Sequence, residues 1–284
     1  MSSLDSRGIC IKWRLRQDLV QKEPPLDAGG KARRDSGDVL GRIGAVRYGE
    51  GVTAPLTTNG LTPAADFPSE PYEAVHRLVA ATWADHELYE HYAGAWNAVA
   101  YRFHGAIHAG EEFDRSLAAE GSTPTPAQRY RQDQALAEFF GSGYSTFESI
   151  FYSLHTVGAF IDPASFSLAT PKARQQVSPS LTATAFKRAF PGDPLLAAVD
   201  AFFSDPAYQE WREIRNILTH RTAPGRRMYV GIGSDDAPAT EWKLNNIPMD
   251  ATLVPARRAA LAGAVGALLT AVEAFVAGKV RAQI

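Results

Sequence analysis

Between Tyr144 and Phe160 the apolar residues return with the period of an α-helix: Phe147, Ile150, Phe151, Leu154, Val157 and Gly158 are spaced by three and four. Residues so spaced share one helical face, and a face this large and apolar must be covered by other elements. Asp162-Pro163 closes the segment, because proline disfavours helical geometry in the residue before it. A chain built around such a segment needs partner helices, and several more are legible. Asp205-Pro206 supplies an N-cap and a first-turn proline for a helix whose Ala207, Trp211, Ile214, Ile217 and Leu218 form a buried stripe. Pro224 predicts that this helix ends near Arg221 to Ala223, with His220 in its last turn.

The remaining segments fit the same class. Ser69, with Pro71 just inside, opens a helical region running to about Ala119, in which Gly94, Gly105 and Gly110 permit close packing or mark breaks. Helix resumes from Ala127 to Phe140 and is expected to break at Gly141-Ser142-Gly143 before the Tyr144 segment. Residues 164–180 read as irregular, 180–189 and 194–203 as helices, and Arg257 to Arg281 as a long closing helix rich in alanine. Met228–Ile232 and Thr240–Asn246 are short β-like runs around a polar tip, which predicts a hairpin. The expected fold is therefore all-α: an irregular up-and-down helical bundle with a small β-hairpin insertion before the last helix. Residues 1–66 carry mixed charge, Pro24-Pro25 and Gly29-Gly30 without a clear apolar period, so a disordered tail is expected there, ahead of a single domain over 67–284. The alternation in Ile11-Lys12-Trp13-Arg14-Leu15-Arg16 reads as an isolated strand-like piece.

Composition narrows the function classes. A formal net charge of −2 over 284 residues gives no overall field for nucleic acid, so any such contact must be local. The single cysteine, Cys10, removes intramolecular disulfides and cysteine-based zinc sites and suits a reducing compartment. No apolar run follows the early basic residues, so no secretory signal is expected. Leu261 to Gly278 approaches spanning length but carries Glu273 and is flanked by Arg257, Arg258, Lys279 and Arg281, which favours a buried helix in a soluble, cytoplasmic protein without membrane contact.

The polar face opposite the Trp211 stripe holds Arg212, Arg215, Asn216, Thr219 and His220. Arg215 and His220 lie roughly 140° apart on an ideal helix, at the edges of that face. A bland reading is a solvated face, with His220 and Arg221 favoured at a helix C-terminus by the macrodipole. Arg215-Asn216-Ile217-Leu218-Thr219-His220 nevertheless has the form Arg-Asn-x-x-x-His at a helix end, and it resembles the signature of the HEPN family of small helical domains. The resemblance spans about residues 69 to 283. The long first helical region and the hairpin depart from a minimal member. The resemblance implies a HEPN-type bundle that dimerises with two motif helices across a cleft, and a metal-independent endoribonuclease needing no cofactor. It implies catalytic roles for Arg215, His220 and Asn216, with Arg212, Thr219 and Arg221 as phosphate-binding neighbours. RNA or a nucleotide would be the ligand, and an antitoxin-type protein the partner. The chemistry suits the residues, since imidazole exchanges protons near neutrality and a planar guanidinium grips phosphate oxygens.

Two rival readings remain. His104 and His108, at i and i+4 with Glu111 or Glu112 a turn on, have a metal-capable spacing, and His76, His86 and His91 enrich the same region. This keeps open a non-catalytic bundle that binds a nucleotide, a partner or a metal at His104/His108. The aromatic density of Trp83, Tyr89, Tyr92, Trp96, Tyr101 and Phe103 fits a core or a subunit contact.

Overall fold

The computed structural model describes residues 64–121, 124–220, 225–229, 239–244 and 246–282. Among them are eight helices: α1 Ser69–Trp83, α2 Tyr89–Glu120, α3 Pro126–Ile161, α4 Pro171–Gln176, α5 Pro179–Ala189, α6 Leu195–Ser204, α7 Pro206–His220 and α8 Leu253–Arg281. Between α7 and α8 lie three short strands, β1 Arg226–Tyr229, β2 Ala239–Leu244 and β3 Ile247–Pro248, paired antiparallel in that order. The fold is all-α with a small sheet inserted before the last helix. The third strand was not legible in the sequence. It is reached through Asn246, whose φ of 66° is left-handed, a conformation asparagine tolerates better than most residues. Residues 1–63 of the expected tail, with the strand-like Ile11–Arg16 piece, lie outside the described residues, whereas 64–66 are described.

The central element is α3, which packs against α2, α5, α7 and α8. It begins with a capping box, Thr125 receiving the Gln128 N–H while the Gln128 side chain accepts from the Thr125 N–H, and Pro126 occupies the first turn. The break expected at Gly141-Ser142-Gly143 does not occur. The helix runs through all three residues because Gly143 serves packing: a Cβ there would fall inside the indole ring of Trp211 on α7. Its apolar face is buried as the spacing predicts, with Phe147, Ile150, Phe151, Leu154 and Val157 in the core.

The first helical region does break, but at residues 84–88 and not at a glycine. There His86 folds back, its Nδ1 accepting from the Leu88 N–H at 3.1 Å. Gly110 instead lets Val254 and Phe139 approach α2 closely. Trp83, Tyr92, Trp96 and Phe103 are core residues, with Tyr72 stacked on Trp96 at 5.1 Å and exchanging hydrogen bonds with it, whereas Tyr101 is exposed. α1 starts one residue earlier than a Ser69 cap would place it, with Pro68 in the cap position. α8 is long and apolar enough to cross a membrane, yet Leu261, Val265, Leu268, Leu269, Val272 and Val276 are buried against the other helices. Packing extends N-terminally of α1: Phe67 is buried, and Asp66 accepts two hydrogen bonds from Arg258, at 2.7 and 2.9 Å.

Candidate functional site

α7 is positioned from its first residue. The Asp205 carboxylate accepts from the Ala207 N–H at 2.8 Å, satisfying a donor that the helix itself cannot. Tyr208, Trp211, Ile214 and Ile217 are buried. Trp211 fixes the helix to α3: its indole N–H donates to the Phe140 carbonyl at 2.9 Å, and its ring meets Phe139 and Phe140 at 5.0 and 5.1 Å.

That anchoring sets Arg215, one turn on, over the next turns of α3. Its guanidinium carbon lies 4.9 Å from the centre of the Tyr144 ring. Nη1 donates to Asn216 Oδ1 at 3.0 Å, and Nη2 stands 3.9 Å from Glu148 Oε1. Glu148 is itself held by the Ser145 hydroxyl, which donates to Oε2 at 3.2 Å. Tyr144 stacks on Tyr208 at 6.1 Å; burial, then neighbouring Tyr144, pushes the Tyr208 phenol well above its ordinary pKa. The Arg215 and Glu148 side chains are 24% and 40% exposed. At that separation and exposure the ion pair contributes at most about 1 kcal/mol. The arginine is thus oriented by an aromatic face and an amide, and among the described residues most of its five N–H donors make no hydrogen bond.

Of the motif residues, Arg215 and its sequence neighbour Asn216 are in hydrogen-bond contact. Arg212 and Thr219 are exposed on the same helix, and Arg212 is near enough to Tyr208 to act on it electrostatically. His220 is the last residue of α7; its side chain, Arg221 and the 222–224 segment lie outside the described residues. The alternative metal ligands are not assembled. His104 is half-buried, His108 is exposed, and Glu111 accepts from Arg258 at 3.2 Å. Among the described residues no three His, Cys, Asp or Glu side chains are grouped to hold a metal ion.

Tyr144, Ser145 and Glu148 are the site residues that sequence reasoning missed. Tyr144 and Glu148 stand at i, i+4 on one edge of a strongly apolar helix, a visible signal. Nothing in the order of residues ties that edge to α7. No family model matches this chain, and no curated protein or solved structure resembles it significantly.

Proposed function

We propose that the chain is a HEPN-type metal-independent endoribonuclease acting in the cytoplasm as a homodimer, with the α7 motif as its centre. The observation that supports this reading most is the state of Arg215: seated on Tyr144, steadied by Asn216, partly exposed, and with donors that no described residue takes up. Cleaving RNA without a metal requires removal of the 2′-hydroxyl proton, protonation of the leaving oxygen and stabilisation of a charged phosphorane. Arg215 would bind the phosphate and its transition-state charge. His220, at the end of the same helix, would move the proton as general acid or base. Asn216 orients Arg215, and Arg212, Thr219 and Arg221 extend the contact along the RNA phosphates. An antitoxin-type protein could control the site by covering this face.

The test is cleavage of end-labelled RNA in excess EDTA. The expected result is cleavage that falls on the order of a hundredfold or more in His220→Ala and in Arg215→Ala. Absence of cleavage, or equal cleavage by His220→Ala, sinks the nuclease reading. One contact favours the second reading, a non-catalytic bundle: Glu148 at 3.9 Å makes Arg215 also a tie between α3 and α7. Under that reading Arg215→Ala lowers thermal stability while RNA cleavage is absent throughout.

A further inference from the structure

Farther along α3, about two turns beyond Glu148, a groove of about 650 Å³ lies between the 165–167 segment, α4 and α5. That volume is in the range of small-molecule sites. Its floor includes His155, only 2% exposed. The ring is fixed at one nitrogen: Nδ1 is 3.3 Å from the Thr182 hydroxyl, which also reaches the Phe151 carbonyl at 3.4 Å. Thr182 has one proton. When it goes to Phe151, Nδ1 carries the imidazole hydrogen and Nε2 presents a lone pair. Among the described residues nothing bonds to Nε2. Burial pushes the imidazole pKa down to about 4, so it stands there as a neutral acceptor.

The walls are of the opposite character. Arg188 spends one N–H on the Ser165 carbonyl at 3.1 Å, and among the described residues its other donors make no hydrogen bond. The Ser167 hydroxyl and the Gln176 amide make no hydrogen bond among the described residues, and Ser178 and Ser180 share one hydroxyl proton at 3.3 Å, which frees the other. Among the described residues no carboxylate lines the groove; Asp162, which accepts from the Ser165 N–H, is held below its usual range first by the Ser165 side chain and last by Arg188. The groove therefore offers one cation and several spare donors around a buried neutral acceptor.

We propose that this groove binds a small phosphomonoester on a hydroxylated body, a sugar phosphate or mononucleotide. The phosphate is taken by Arg188 and the hydroxyl donors, and a ligand hydroxyl donates to His155 Nε2. The site is separate from Arg215. Titration calorimetry of the full chain with ribose 5-phosphate, AMP and inorganic phosphate tests it. Ribose 5-phosphate or AMP is expected to bind at least about tenfold more tightly than inorganic phosphate. Arg188→Gln and the exposed Ser167→Glu are each expected to weaken that binding about tenfold or more, and Arg215→Ala to leave it unchanged. Stronger binding of ribose 5-phosphate than AMP assigns the sugar phosphate, and the reverse assigns the nucleotide. No binding at about 10 mM, equal binding of inorganic phosphate, or affinity unaltered by Arg188→Gln and Ser167→Glu overturns the proposal.

Discussion

Arg215 is set apart from the exposed Arg212 by the Tyr144 ring beneath it. A guanidinium over a tyrosine ring loses orientational freedom without losing its charge, which suits a group meant to meet a phosphate. Tyr144→Leu should therefore lower cleavage about tenfold with little change in melting temperature, while Tyr144→Phe keeps the ring and most of the rate; parallel kinetics and thermal melts check this. Gly143 acts through shape alone. Gly143→Ala should destabilise the protein by about 1–3 kcal/mol in urea unfolding, since the new methyl displaces Trp211. His155 gives a pH signature. Its pKa is about 4 when folded, against 6.5 ordinarily, so the unfolded chain binds the extra proton between those values. Its contribution is present above about pH 6.5, is lost as pH falls, and is gone below about 4. His155→Gln should flatten that part of the stability profile measured by denaturant unfolding.

At the scale of elements, helix ends are set locally and helix continuity is not. The Asp205-Pro206 start, the Ser178-Pro179 start of α5 and the Thr125-Pro126 start of α3 each pair a capping oxygen with a first-turn proline; the first was read from the sequence, and the other two helices begin one residue earlier than the expected 180 and Ala127. Asp205→Ala should cost about 1 kcal/mol in thermal unfolding, with a smaller loss for Asp205→Asn. The glycines misled in a consistent way. Gly141-Ser142-Gly143 resembled a hinge because glycine destabilises an isolated helix by about 1 kcal/mol. In the folded chain Gly143 admits a tryptophan whose burial and hydrogen bond to Phe140 outweigh that cost. At residues 84–88, where the chain does turn, no glycine or proline announces the break.

For the whole molecule, the helices are collected by α3 from inside and by α8, which returns to pack on α1, α2, α3, α6 and α7. The Arg258 to Asp66 contact joins α8 to the chain ahead of α1, both side chains being 31% exposed. Arg258→Ala should lower stability by about 1 kcal/mol and reduce protection of the Phe67 amide in hydrogen exchange. The proposed dimer is a property of the same scale. Light scattering at tens of micromolar should give twice the chain mass, and a monomeric mass argues strongly against paired α7 helices.

The sequence by itself determined the all-α class, the sites of most helices, the inserted hairpin and the buried stripes of α3 and α7. These follow from periodicity and capping, which act over a turn or two of chain. Only the tertiary structure decided that α3 is continuous, that Glu111 meets Arg258, and that Arg215 rests on Tyr144 beside Glu148. Those outcomes depend on which helix faces which. Packing of large side chains such as Trp211 against Gly143 settles that choice, and no local pattern in the chain records it.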